Sequence, residues 1–246
     1  MPTSQHQQIN EIMSFINWTK PEKLLDIGVG FGKYGFLSRE CLELWTTDNH
    51  YSNNKWTTEI DGIEVFEKYI TPVHKYIYNH IYIGNAIDIL PTLEKRYDLI
   101  LLIDVLEHFD YNQGMLILEQ CEIIGTNMII SVPTDIGSQE DCFDNPYERH
   151  KFQWTKNHFN SYNSKFIIPN VGGSMIIYLG KNSQKMKKLW KQRFSLLRMT
   201  ILKILDLVRL KKIIKRIFLK RKKLSSVTSK LLIFFNCIIL IRLITI

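Results

Sequence analysis

Residues Leu24 to Gly35 read LLDIGVGFGKYG, an apolar run ending in Asp26, then glycines at 28, 30 and 32, then a helical pattern. A residue without Cβ lets the chain turn sharply and lets a ligand approach the backbone, while the helix that follows offers free N–H groups. Two patterns overlap here. Gly30, Gly32 and Gly35 fit GxGxxG, a dinucleotide signal that is weak alone. A pyrophosphate binder carries an acid for the ribose about 20 residues further on, where this chain has the polar stretch TTDNHYSNNKW. The competing pattern, an acid two residues before GxGxG, suits a ligand bearing an ammonium and a sulfonium, because Asp26 places a negative charge beside the turn.

Outward from this stretch, short apolar runs alternate with amphipathic ones, the pattern of a parallel sheet covered on both faces. Strands are predicted near residues 23–28, 58–64, 77–83, 97–104, 126–132, 165–169 and 174–179. Helices are predicted over 5–17, 32–44, 65–70, 86–94, 111–122 and 155–161. KFIIP and SMIIYLG are separated only by Asn170 to Gly173, so they form an antiparallel hairpin. The fold class is α/β, a doubly wound, mostly parallel seven-stranded sheet whose last strand is antiparallel. Its domain spans residues 1–180, and a basic, apolar helical tail spans 181–246.

DIGVGFG, Asp26 to Gly32, resembles the first motif of the class I S-adenosylmethionine-dependent methyltransferases, and three later segments resemble its companions in order. EIDGIEVF (59–66) is similar to the second-strand motif, GNAIDILP (84–91) to the third and YDLILLIDVLEHF (97–109) to the fourth. The resemblance covers roughly residues 20–180 and implies a Rossmann-like fold that binds S-adenosylmethionine. It places Asp26, Gly28, Gly30 and Gly32 at the cofactor turn and Glu64 on both ribose hydroxyls, with Asp61 as the alternative if the strand ends early. It further places Asp88 at the adenine amino group, Ala86 and Ile87 beside the ring, and Asp104 near the sulfonium. One departure is the stretch between the first two motifs, which is lengthened by Thr46 to Trp56. Each acid also has a plain reading, as a helix cap or a solvated charge. Their joint spacing on successive strand ends favours the ligand reading.

Methyl transfer requires positioning of two reactants, and a base only where the acceptor holds its proton tightly. Candidate catalytic residues are His108, which follows Glu107, and Glu148 and His150 in the long connection Ser131 to Thr155. Within that connection NPYERHKFQW (145–154) is similar to an N-x-x-E-x-H-x-x-x-W pattern of a bacterial branch of the superfamily, with Tyr147 and Trp154 as an apolar lid. The alternative is a loop pinned by aromatic packing and a His–Glu hydrogen bond. No HxxxH or HxH spacing accompanies these residues, so no metal is expected.

The net charge of +8 is unevenly spread. Residues 1–180 carry 13 Lys and Arg against 23 Asp and Glu, whereas residues 181–246 carry 19 against the single Asp206. The four cysteines form no CxxC pair, which argues for a reducing compartment and against structural zinc. The opening MPTSQHQQINEIM lacks the features of a secretory signal, so a cytoplasmic location is expected. The tail has apolar positions 194, 197, 201, 204 and 208 at helical spacing, with Arg209, Lys212, Arg216, Lys220 and Lys223 as a basic set. It reads as an attachment to the inner face of an anionic membrane, as an RNA contact, or as an extension without a role. The terminal LLIFFNCIILIRLITI favours the membrane and makes nucleic acid the weaker partner, although 16 residues fall short of the about 20 that span a bilayer. The acceptor is expected to be a small molecule or an envelope-linked glycan or lipid. The rival functions are a nicotinamide-dependent oxidoreductase and a non-catalytic cofactor-binding or membrane adaptor protein. The oligomeric state has no signal in the sequence.

Overall fold

A computed structural model describes residues 4–44, 56–141, 144–193, 205–206 and 208–212 of the chain. Seven strands form one sheet: β1 (Lys23–Ile27), β2 (Glu59–Glu64), β3 (His80–Ile83), β4 (Leu99–Ile103), β5 (Asn127–Pro133), β6 (Lys165–Val171) and β7 (Ser174–Gly180). Their order is β3-β2-β1-β4-β5-β7-β6. The first five pair in parallel, and β7 runs antiparallel between β5 and β6. The chain therefore steps outward from β1 to β3 and returns to β4 on the other side of β1. That reversal opens a crevice at the carboxyl ends of β1 and β4, where α/β sheets bind ligands.

β4, LILLI, is buried at all five positions, as a central parallel strand requires. Alternate residues serve two cores. Leu25, Ile27, Ile100, Leu102 and Ile130 join one cluster with Ile117, Leu118 and Cys121 of helix α5 (Tyr111–Ile124). On the opposite face Tyr178 of β7 meets Phe15 of helix α1 (Ile9–Thr19), their ring centroids 5.6 Å apart. Helix α5 begins at Asp110, whose carboxylate accepts from the Gln113 N–H at 3.0 Å. Its Gly114 lies against Trp154, whose Cζ2 would stand 2.3 Å from a Cβ at that position.

The remaining helices are short. Helix α2 (Lys33–Arg39) passes into a π turn, Glu40–Leu44, and α4 (Ala86–Ile89) into a 3-10 turn. The helices predicted over 65–70 and 155–161 are only the 3-10 turns Glu67–Tyr69 and Lys156–Phe159. Helix α3 (Pro72–Ile77) occupies a stretch for which the sequence pattern predicts no helix, and β3 starts at His80 rather than at 77. Its signal is Thr71-Pro72, a cap followed by proline at the first helical position. β2 runs to Glu64, so Asp61 lies mid-strand, where it accepts from Lys95 Nζ at 2.7 Å and the Tyr97 hydroxyl at 2.9 Å.

Most of Thr46 to Trp56 lies outside the described residues, but its two flanks are fastened together. The buried Arg39 and Glu43 pair at 3.4 Å. Glu43 Oε1 accepts from the N–H groups of Thr57 at 3.0 Å and Thr58 at 2.6 Å. Arg39 donates to the carbonyl oxygens of Ile77 and Thr58 and to Asn79 Oδ1.

The chain divides into two compact units, Met1–Leu189 and Trp190–Ile246. In the first, Ser183 and Met186 beyond the last strand are still buried. In the second, residues 205–206 and 208–212 are helical and exposed. Positions 194, 197, 201 and 204, the basic residues from Arg216 onward and the terminal apolar run lie outside the described residues. Among the described residues no helix is long and apolar enough to cross a membrane.

Candidate active site

A cavity of about 380 Å³ opens at the carboxyl ends of the central strands, within the range of small-molecule sites. Of the residues predicted for the cofactor, Asp26, Gly28, Gly30, Glu64, Ala86 and Asp104 line it. Gly32, Ile87 and Asp88 do not line it. Gly32 caps α2, and Asp88 sits exposed on α4, where Gly84, Asn85 and Ala86 make the wall instead. The Asn85 side chain accepts from the Ile87 N–H at 3.1 Å and so shapes that turn.

The glycine turn is held from below by α3. Asp26 is almost fully buried and its Oδ2 accepts from the Tyr78 hydroxyl at 2.6 Å. Burial pushes the Asp26 carboxyl up to about 7, against the opposing effect of the Tyr78 hydrogen bond. His74 Nδ1 accepts from the Thr71 N–H at 3.1 Å, which puts the ring proton on Nε2. That Nε2–H donates to the Gly30 carbonyl at 2.9 Å. Gly28 adopts φ +75°, and a Cβ there would stand 2.5 Å from Val105 Cγ2. Its lack of a side chain is thus required twice, by conformation and by contact.

Glu64, the last residue of β2, bridges two turns. Its Oε2 accepts from the Gly30 N–H at 2.8 Å and its Oε1 from the Phe66 N–H at 2.9 Å. Burial raises its carboxyl above the usual range, and the two N–H donors act against that rise. The lone pairs left over on a doubly hydrogen-bonded carboxylate can accept from a pair of vicinal hydroxyls.

Asp104, just beyond β4, takes φ +53°, unusual for a residue with a side chain. Three donors hold it there: Ser131 Oγ to Oδ1 at 2.6 Å, and Gln8 Nε2 at 2.8 Å and the Gln5 N–H at 3.4 Å to Oδ2. Burial raises its carboxyl. The amino-terminal segment therefore forms part of the wall, with Ser4 and Gln5 lining the cavity and Lys33 Nζ donating to Ser4. Local sequence pattern gives no signal for this, since the bonds join residues 96 and 99 positions apart.

The opposite wall carries Glu107, His108, Tyr147, Glu148 and His150, so all three residues predicted for the acceptor side reach the same cavity. The rings of His108 and His150 lie 5.1 Å apart between centroids and are tilted by 50° to one another. His108 Nδ1 lies 3.2 Å from the Arg149 carbonyl and His150 Nδ1 2.6 Å from the Ile136 carbonyl. Burial lowers the His108 pKa to about 4, so its ring is neutral at pH 7. Glu148 Oε1 accepts from the Tyr69 hydroxyl at 3.1 Å and from Asn145 Nδ2 at 3.4 Å, and His150 bonds to Ile136 rather than to Glu148. Trp154 belongs to no lid. It is 1% exposed, packs on Gly114 and donates from Nε1 to the Leu106 carbonyl at 3.0 Å. Glu107, buried beside Asp104, also lines the cavity, and both effects push its carboxyl well above the usual range.

No family profile matches the chain, and no curated protein matches it. Among solved structures it is similar to an S-adenosylmethionine-dependent methyltransferase from Archaeoglobus fulgidus, with TM-score 0.51 and 14% identity over 71% of this chain and 94% of that one. It is also similar to PigF with S-adenosylhomocysteine, with TM-score 0.50 and 14% identity over 72% of this chain and 55% of that one. Identities this low speak to architecture: the chain has the Rossmann-like fold of the S-adenosylmethionine-dependent methyltransferases.

Proposed function

We propose that the chain is an S-adenosylmethionine-dependent methyltransferase. The observation that carries this reading is the meeting of three carboxylates from neighbouring strand ends, Asp26, Glu64 and Asp104, at one cavity beside the glycine turn. A pyrophosphate would be repelled by such a wall, whereas a ligand with an ammonium and a sulfonium is attracted to it. When bound, S-adenosylmethionine supplies a methyl carbon to a nucleophile lying in line with the departing sulfur. Asp26 faces the ammonium, Glu64 takes the ribose hydroxyls, Asp104 stands near the sulfonium, and Gly84 to Ala86 border the adenine.

The acceptor enters beside His108, Glu148 and His150. Two imidazoles, two carboxylates and the Tyr147 ring suit a hydroxyl-bearing acceptor, a small molecule or the glycan or lipid head group of an envelope component. The Nε2 of His108 or His150, or the Glu148 carboxylate, accepts the proton that the acceptor loses. The basic tail attaches the chain to the inner face of an anionic membrane; the exposed Leu205, Val208 and Leu210 beside Arg209 and Lys212 support this.

Calorimetry with S-adenosylhomocysteine and NAD tests the cofactor, with binding of the first and none of the second expected. Transfer of labelled methyl to a cell extract separated into small molecules, lipid, glycan, RNA and protein tests the acceptor. Label in glycan, lipid or small molecules agrees with the reading, and heat from NAD alone overturns it. Flotation of the full chain with anionic vesicles tests the tail, and chain left in the pellet overturns that part.

A further inference from the structure

From the arrangement of Glu107, His108 and His150 we infer a site for one divalent transition-metal ion, of the Mn²⁺, Fe²⁺, Co²⁺ or Zn²⁺ class, at the acceptor end of the cavity. A ligating atom from each of the three lies within 4.8 Å of the others. Bonds of about 2.0–2.2 Å place ligands about 3.0–3.4 Å apart, so side-chain rotation closes the set. The hydrogen bonds decide which ring nitrogens are available to an ion. Arg149 and Ile136 offer carbonyl oxygens, which only accept, so both Nδ1 atoms carry the ring protons and both Nε2 atoms keep their lone pairs. A backbone carbonyl on the far nitrogen is the usual support of a metal-bound imidazole. The carboxylate brings a second, independent observation: Glu107 is 1% exposed, lines the cavity, and its Oε2 has no hydrogen-bond partner. A buried carboxylate oxygen left without a donor is costly unless a cation meets it.

Two imidazoles and one carboxylate form a borderline set. Mg²⁺ and Ca²⁺ prefer oxygen ligands throughout, and three protein ligands leave coordination positions open for a ligand in the cavity. The sequence spacing that argues against a metal misses this set because His108 and His150 are 42 positions apart and the third ligand is Glu107. Glu148 is engaged by Tyr69 and Asn145 and stays outside the set. With the ion bound, the two imidazoles are no longer free as bases, and Glu148 is the group left to take the acceptor's proton. The site stands on these three side chains and does not depend on the identity of the cofactor.

Full-length protein stripped with a chelator is titrated with Co²⁺ and followed by its visible absorption and by calorimetry. One equivalent is expected to bind. His150→Ala and Glu107→Gln should each weaken binding by about tenfold to a hundredfold, while Glu148→Gln leaves it unchanged. Should a variant fail to fold, pulsed electron paramagnetic resonance of Cu²⁺ in the unaltered protein must still show coupling to two imidazole nitrogens. No Co²⁺ uptake, uptake indifferent to His150 and Glu107, or a Cu²⁺ spectrum without imidazole coupling would each overturn the site. S-adenosylhomocysteine binding by the metal-free protein is scored separately, so failure of the cofactor reading and failure of the metal site are told apart.

Discussion

The Tyr78 hydroxyl donates to Asp26 Oδ2 at 2.6 Å beneath the glycine turn, joining the residue that follows α3 to the one acid that precedes the glycines. The bond stabilises the ionised carboxylate, while burial opposes ionisation and prevails, so the carboxyl titrates near neutrality.

A pH dependence of cofactor binding follows. The Asp26 carboxyl rises from 3.8 to about 7 on folding, so the folded chain holds this proton more tightly than the unfolded one. Raising the pH from about 4 to about 7 therefore weakens this residue's contribution to the fold. The ligand's ammonium favours the ionised form of Asp26, so S-adenosylhomocysteine affinity should tighten from about pH 6 to about pH 7.5. Asp26→Asn should bind about tenfold more weakly and show a flatter profile. Calorimetry across this range checks both, and an equally steep profile in Asp26→Asn would rule out Asp26 as the source.

Tyr78→Phe removes the donor and leaves the packing. The Asp26 carboxyl then moves further up, and affinity at pH 7 should fall about threefold to tenfold, in keeping with about 1 kcal/mol for such a hydrogen bond. Raising the pH by about one unit should restore much of the loss. Binding isotherms at two pH values decide it; a loss of the same size at both would mean that the effect is steric.

Glu64→Gln keeps the shape but exchanges one acceptor oxygen for a donor, which then faces the N–H of Gly30 or of Phe66. The expected cost is about 1–3 kcal/mol of stability, seen as a fall in Tm, together with at least tenfold weaker cofactor binding. An unchanged affinity would remove Glu64 from the ribose site.

Gly114→Ala should destabilise the first unit by about 1–3 kcal/mol through overpacking against the buried indole. Trp154→Ala should cost about 3–5 kcal/mol. Denaturant unfolding measures both, and a Trp154→Ala variant of undiminished stability would contradict its place in the core.

Arg39→Met takes the guanidinium away from the buried Glu43 carboxylate and should cost about 3–5 kcal/mol. Chemical denaturation reads the loss. A variant as stable as the parent would show that the Arg39–Glu43 pair does not contribute to the fold.

What the amino-acid sequence determined by itself is the part of the molecule built from local pattern: the continuous apolar runs of β1, β4 and β5, the hairpin of β6 and β7, the glycine turn, and the acids at strand ends. Each needs only neighbours within a few residues, so each is written in consecutive positions. Tertiary structure alone decided the rest. Helix α3 is short and has little periodicity, yet it carries His74 and leads into Tyr78, which hold the turn from 44 and 52 positions away. Gln5 and Gln8 reach Asp104 only because the turn that leads into α1 packs at the ends of β4 and β5, where Gln8 also meets Ser131. Trp154 has the composition of a lid residue and becomes core because Gly114 leaves room for it. Glu107, His108 and His150 become one cluster only when the connection after β5 folds back across the end of β4, a closeness in space that no spacing along the chain encodes.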